Sequence, residues 1–543
     1  MTQAADLVIT GGTVFTADAA LTVAEAVAVQ GGRIAWVGPA AEAGDHAGPG
    51  TRVLELEGRT VLPAFQDAHC HPAESGVDLA RCVLNDAETR EECLETIARY
   101  AAEHPELEWV EGAGWSIDSF EHGTPSKADL DAILPDRPAF FVNRDGHDAW
   151  ANSRALELAG ITAATPDPSG GRIARGAAGE PQGTLHEEAK HLVWRLFPPA
   201  TPEEWEAGIL RAQALYHSLG VTAWQDASID EPVHLAAYRA VAERGKLTMR
   251  VEGNLLWSRD RGEEQIDDLR DLRAAGSLGR LRVRGAKIFV DGVLENLTGA
   301  LLEPYVDSDN YGISMFSAEE LERAVVLLDA HGFQVHMHTI GDRAVRDALD
   351  ALEAAERLNG RRDSRHHLAH LQLVHPDDLP RFAELGVVAN VSPLWACHSG
   401  YVDELTIPFI GPERSARMYP FGSLARAGAR LAFGSDWAVS TNDPLPQLEV
   451  SVTRIAPETR DLPPLLADEA LDLPASLSAF TANAAYVNFL ETDTGTVEPS
   501  KLADLVVLDR DVLDPGAGPL GDAKILLTLS EGEAVYADPA LGW

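Results

Sequence analysis

The chain is short of cysteine, of basic residues and of long apolar runs, and each shortage excludes something. Four cysteines (Cys70, Cys82, Cys93 and Cys397) in 543 residues are too few for a disulfide scaffold, and their spacing matches no zinc knuckle. The 44 Lys and Arg are outnumbered by 85 Asp and Glu, for a net charge of −41 and an isoelectric point near 4.7. A surface of that sign repels phosphate backbones and anionic membranes, so neither nucleic acid nor a membrane is expected as a partner. No apolar run approaches the roughly 18–20 residues that span a bilayer. The opening MTQAADLVITGG lacks the basic-then-apolar pattern of a signal peptide. Together these features predict a soluble, cytoplasmic protein with a small-molecule substrate. The 45% hydrophobic content is ordinary for a packed chain, and the length implies two or three domains or one large barrel with additions.

The first sixty residues alternate short apolar segments with glycine turns (Gly11-Gly12, Gly31-Gly32), and the last fifty do the same in ADLVVLDRD and AKILLTLSEGEAVY. Neither end carries enough apolar residues for its own core. Residues 1–60 and 491–543 are therefore expected to join in one small β-sandwich domain. Between them, eight strand-like runs alternate with helical stretches: 61–69, 221–228, 249–257, 284–292, 333–342, 365–374, 386–393 and 429–437. That rhythm predicts an α/β fold, a (β/α)8 TIM-type barrel over 61–490. No GxGxxG follows a strand, which counts against a dinucleotide-binding fold. About 150 residues separate the first two runs, so a large insertion at about 75–205 is expected on the barrel's carboxyl-terminal rim, with 161–182 as a loop.

His69 and His71 end the first barrel strand, and residues i and i+2 of a strand share a face. His338, His370 and Asp436 each close a further run, where barrel enzymes place catalytic groups. Imidazole nitrogens and a carboxylate are the donors that zinc accepts, so these residues are candidate metal ligands. His336 shares a face with His338 and is read as supporting or core. His366 shares a face with His370, whereas His367 is expected to point away. Lys287 is one of only six lysines and sits inside the apolar strand GAKIFVDG. Burial lowers a lysine's pKa towards the neutral amine, which can react with carbon dioxide to give an anionic carbamate. The alternative is a buried lysine paired with Asp291 or Asp226.

VLPAFQDAHCHP, AKIFVDG, HMHTIGDRA, LAHLQLV, GSDW and the terminal KLADLVVLDRD, in this order, resemble the amidohydrolase superfamily. The closest resemblance is to its branch of N-substituted formamide deformylase and the YtcJ-like proteins, and it runs over nearly the whole chain. It implies that His69 and His71 hold a more buried metal, and His338 and His370 a more exposed one. Lys287, as a carbamate, would bridge the two, and Asp436 would bind the buried metal and act as acid/base. Zinc is the expected ion, as two per chain or one. A metal makes hydroxide available by lowering the pKa of water to about 7, which implies hydrolysis of an amide or formamide C–N bond. Family habit further implies a homodimer or larger homo-oligomer.

The insertion offers Trp115, Asn143, His147 and His186 as candidate substrate-pocket residues, and the same resemblance, which lays its segments over the metal centre, favours Trp115 and His147 as substrate contacts. Arg144 is read as a surface partner of Asp145 or Asp148. Asp67, Asp226 and Asp291 are placed to hydrogen-bond ligand imidazoles, Asp342 to cap a helix, and Cys70 to pack. Ring deamination is the first alternative chemistry. It is weakened by Thr-Ile-Gly-Asp after His338, where many deaminases of the superfamily carry a glutamate. Lactone, ester or phosphotriester hydrolysis is a second. A non-catalytic scaffold is disfavoured because relatives of that kind lose ligands that this chain keeps.

Overall fold

Eight segments with almost no exposed residue line up side by side, as strands covered on both faces must. In the computed structural model, which describes residues 4–120, 123–144, 146–197, 199–230 and 232–543, they are β1 (Phe65–Cys70), β2 (Val221–Ile229), β3 (Arg250–Leu256), β4 (Leu281–Phe289), β5 (Gln334–Thr339), β6 (His367–His370), β7 (Val388–Val391) and β8 (Arg430–Phe433). Each pairs in parallel with the next in sequence order. Asp436 N–H donates to His69 O and His71 N–H to Trp437 O, both at 2.8 Å. These bonds bring the end of β8 against the end of β1, and the eight runs form a nearly closed parallel barrel. Helices cover its outside, for example Pro202–Ser218, which a Thr201/Glu204 capping box starts.

The two chain ends meet in one sheet. Leu505–Leu508 pairs antiparallel with Thr60–Pro63, joining three carboxyl-terminal strands to five amino-terminal ones in a continuous eight-stranded sheet. One face buries Ile9, Val27, Val61, Leu505 and Leu527, residues drawn from both ends, so neither end forms this core alone. Arg250 of β3 ties the sheet to the barrel through ion pairs to Asp504 and to Glu531, the latter at 2.8 Å.

Residues 82–187 build a third, six-stranded mixed sheet with its own cores, one around Trp115, Phe141 and Trp150. The stretch 161–182, expected as a loop, contains the strand Gly171–Arg175 and the start of Pro181–Glu187. These two strands pair with each other as a local hairpin, and Pro181–Glu187 also pairs with Asp148–Ala151; the Gly- and Pro-rich composition between and around them conceals the pairing. Among the described residues, no helix is long and apolar enough to cross a membrane.

One buried acid on β3 has a measurable consequence. Burial pushes Glu252 up to about 8, and Arg284, 3.8 Å away, only partly offsets this. Glu252 is thus protonated in the fold at neutral pH and ionised in the unfolded chain. Its raised pKa makes stability fall as pH rises from about 4.5 to about 8. Each pKa unit is worth about 1.4 kcal/mol, so with a shift from 4.5 to about 8 Glu252→Gln should gain up to about 4 kcal/mol at pH 8 and almost nothing at pH 4.5. Urea midpoints at the two pH values measure this, and equal gains at both would contradict it.

Candidate metal centre

The carboxyl ends of the barrel strands converge on a polar cluster built upon Asp67. Its carboxylate accepts the backbone N–H of His69 (3.1 Å) and of Ser435 (3.0 Å), and the hydroxyls of Ser435 (2.5 Å) and Tyr216 (3.1 Å). Burial still pushes Asp67 up to about 6. It therefore orients the candidate ligand His69 through the backbone, not through the imidazole. Gly434 completes this junction: a Cβ there would lie 2.4 Å from the Cβ of His69.

His69 Nε2 and His71 Nε2 each lie 3.2 Å from Asp436 Oδ1. His69, His71 and Asp436 offer donor atoms that all lie within 4.8 Å of one another. On the other side of His69, Nδ1 is 2.8 Å from His336 Nε2, so His336 orients the His69 ring. Burial, helped by the nearby Lys287, pushes His69 down to about 3 and keeps it a neutral donor. Burial opposes ionisation of Asp436, but the His69 and His370 imidazoles overcome it and hold the carboxyl well below its usual range.

The His338 and His370 rings lie 4.7 Å apart, and His370 Nδ1 is 3.8 Å from Asp436 Oδ2. Asp291, at the end of β4, stands 3.3 Å from His338 Nδ1 and accepts the backbone N–H groups of Ala300, Ile340 and Gly341. Lys287 is fully buried, and its nearest polar contact is His69 Nε2 at 3.5 Å. Neither Asp291 nor Asp226 pairs with it, because Asp291 is occupied by backbone donors and Asp226 by the Tyr238 hydroxyl (2.7 Å). Burial pushes the ammonium down to about 7. An N,N,O donor set beside a buried amine that has no carboxylate partner among the described residues fits a divalent metal ion.

All six residues expected as ligands thus lie in one cluster, but the alternation used to choose among the histidines of β6 does not hold. The His367 ring faces inward, 3.9 Å from that of His336, with Nδ1 3.0 Å from Asn390 Nδ2. His366 instead accepts the Val335 N–H at the start of the strand. His370 reaches the cluster because it and Leu371 adopt left-handed backbone (φ 76° and 52°), which turns the ring inward. Cys70 packs away from the cluster, against Gln225 O.

The insertion supplies a rim. His147 Nδ1 lies 2.9 Å from Glu187 Oε2, and its ring is 5.9 Å from that of His338. Burial would raise Glu187, but His147 outweighs it and brings the carboxyl down to about 2. Glu187 Oε1 also accepts the Thr298 hydroxyl (3.0 Å) from the loop after β4. The next pair is crosswise: His186 Nδ1 lies 2.8 Å from Asp148 Oδ1, which accepts from Asn296 of the same loop. Asn143 accepts the Asp148 N–H (2.8 Å) and braces that strand end.

Trp115 is a correction. It is fully buried in the insertion's core, with its N–H donated to Phe141 O (2.8 Å), and presents no surface to a substrate. A large ring at the end of a sheet strand packs against Phe120 and Trp150 before it can face the mouth. Arg144 donates to Asn85 O, Asp148 is taken by His186, and Asp145 lies outside the described residues. Asp342 does not cap: Gly341 is the cap position, and Asp342 accepts the Leu302 N–H. Sequence reasoning missed Glu187, next to His186 in LHEE, and Trp395, which stacks on His370 (5.0 Å, 8°). The position of Trp395 just beyond β7 was the available signal.

Because His336 fixes the ring of His69, His336→Ala should weaken metal binding about 10–100-fold. Competition against a chromogenic chelator measures this, and unchanged affinity would reduce His336 to a packing residue.

A parallel barrel with imidazoles, a carboxylate and a buried amine at its strand ends defines the class, a barrel hydrolase with a candidate metal centre. The model of the amidohydrolase family matches residues 52–536, and the chain belongs to that family. It is a hydrolase acting on carbon–nitrogen bonds other than peptide bonds. The chain is 31% identical to Protein LONG AFTER FAR-RED 3 of Arabidopsis thaliana, over 98% of this chain and 92% of that one. It is also 31% identical to N-substituted formamide deformylase of Arthrobacter pascens, over 99% of both. An uncharacterized metal-dependent hydrolase from Pyrococcus furiosus superposes with a TM-score of 0.71 at 27% identity, covering 93% of this chain and 99% of its own.

Proposed function

We propose that the protein is a zinc-dependent amidohydrolase that cleaves the C–N bond of an amide, with N-substituted formamides the first class to test. His69, His71 and Asp436 would hold one ion and His338 and His370 a second. Lys287 would lie between them as a carbamate, formed when the neutral amine adds to the carbon of CO₂ and loses a proton. The observation that carries this reading is the fully buried Lys287 amine, 3.5 Å from His69 and without a carboxylate partner among the described residues. The full-length likeness to a formamide deformylase supports the substrate class.

The bound ions would supply Lewis acidity, polarising the carbonyl and acidifying water to a pKa of about 7. Asp436, ionised at neutral pH, takes the proton of the attacking water and returns it to the departing nitrogen. An amine leaves poorly unless it is protonated, so this return is required. His147, held by Glu187, stands over His338 as a substrate contact, while His186 and Asn143 stiffen the rim that carries it. Trp395 and Phe289 flank the two imidazoles of β5 and β6 and make that wall apolar.

The test is release of formate or carboxylate from a panel of N-substituted formamides and N-acyl amines by zinc-loaded protein. Turnover that is abolished by chelation and restored by zinc is expected. A fully loaded protein that hydrolyses none of the panel would overturn the reading.

A further inference from the structure

A second polar site lies at the opposite end of the barrel. A cavity of about 460 Å³ opens at the amino ends of β4 and β5. Its walls include Arg273 of the helix Gln265–Gly276, Arg284 of β4, Phe333, Arg362 and Phe489. The candidate metal ligands His338 and His370 lie at the far ends of the same set of strands.

The charges here are out of keeping with the rest of the chain. Acids outnumber bases by 85 to 44, so an arginine that needs a carboxylate should find one. Arg273 nevertheless forms no ion pair among the described residues, and its guanidinium lies 4.0 Å over the ring of Phe333. Arg284 lies 5.0 Å over Phe489, and its one acid, Glu252, stands 3.8 Å away and carries a proton at neutral pH. The other acids are already engaged: Asp363, which itself lines the cavity, pairs with Arg365 (2.9 Å), and Asp329 with Arg362 at the lip. Two half-buried guanidiniums are left uncompensated in one cavity. A guanidinium resting on a ring face keeps its N–H edge free, and that planar fork matches an oxyanion.

We infer that this cavity, between Arg273 and Arg284, binds a small oxyanion, the carboxylate or phosphate group of a metabolite-sized molecule. The volume lies within the range of small-molecule sites. The ligand's charge would replace the carboxylate that the fold leaves out. The site is independent of the metal centre and of the reaction proposed above.

Isothermal titration of the full-length, zinc-loaded protein with inorganic phosphate and with succinate, at constant ionic strength in chloride, tests this and separates the two sources. Saturable binding of one anion per chain is expected for phosphate, succinate or both. It should weaken at least about tenfold in Arg273→Gln and in Arg284→Gln, as loss of a charge-assisted pair implies. It should persist in Asp436→Asn and in Arg343→Gln, a distant surface arginine. Both cavity variants should keep wild-type Tm in chloride and wild-type amide turnover, which excludes misfolding. Should either variant unfold, Arg273→Lys keeps the charge and should retain part of the affinity. Absence of binding by both anions, or binding in both cavity variants as tight as in wild type, would overturn the site. Binding lost only in Asp436→Asn would assign the anion to the metal centre and overturn it equally.

Discussion

Asp436→Asn should lower kcat for amide hydrolysis by about 10²–10⁴-fold, the usual worth of a general acid–base group, with a much smaller change in KM. The substitution preserves shape, and the amide oxygen can still face His69 and His71 from the 3.2 Å positions of Oδ1. What it removes is the ability to take up a proton and give it back. Saturating zinc in the assay and a measured metal content keep weaker ion binding from imitating the effect. The loss should be greatest for amides with strongly basic leaving amines, which need the proton most, and smaller for activated esters, whose leaving oxygen does not. Asp436→Asn with more than a tenth of wild-type kcat on an unactivated amide would remove Asp436 from the proton transfer.

Lys287→Ala should drop metal content from about two ions per chain to one or fewer, and amide turnover by about 100-fold or more, since a metal's charge stabilisation is worth several kcal/mol. Plasma mass spectrometry on protein purified without chelators measures the first. A carbamate needs both the neutral amine and CO₂. Burial brings the Lys287 ammonium down to about 7, so the reactive amine grows as pH rises through neutrality. Reloading of metal-free wild type should accordingly be faster at pH 8 than at pH 6, and faster with bicarbonate than without. Lys287→Ala should show neither dependence, and a short carboxylic acid that fits the vacated space should restore part of its activity. About one equivalent of zinc in both wild type and Lys287→Ala would end the bridging role and leave a mononuclear site.

Much of this site was legible because ligand identity and strand position are local properties. An HxH at a strand end, an aspartate after RLAFGS and a lone lysine in GAKIFVDG are visible without a fold, and the six residues do converge. The eight apolar runs were legible for a similar reason: strands covered on both faces are apolar throughout, and helices of ordinary length separate most of them. Alternation, by contrast, holds only while the backbone stays extended. It mis-assigned His367 because β6 ends in two left-handed residues. Trp115 went astray for a different reason, since its sequence neighbourhood resembles a rim segment while its ring serves the insertion's core.

The sequence by itself determined the class of chemistry, the barrel and the identity of the candidate ligands, because those depend on residue type and on period along the chain. The tertiary structure alone decided which imidazole turns inward, that Lys287 has no carboxylate partner among the described residues, and that Glu187 holds His147 above His338. It also set Arg273 and Arg284 around one cavity where, among the described residues, no ionised acid pairs with either. Most of these are relations between residues far apart in the chain, such as Lys287 and His69 or Glu187 and His147. The strength of a charge or a hydrogen bond depends on what the fold brings within a few ångströms of it and on how much water the fold removes, and neither is written locally in the chain.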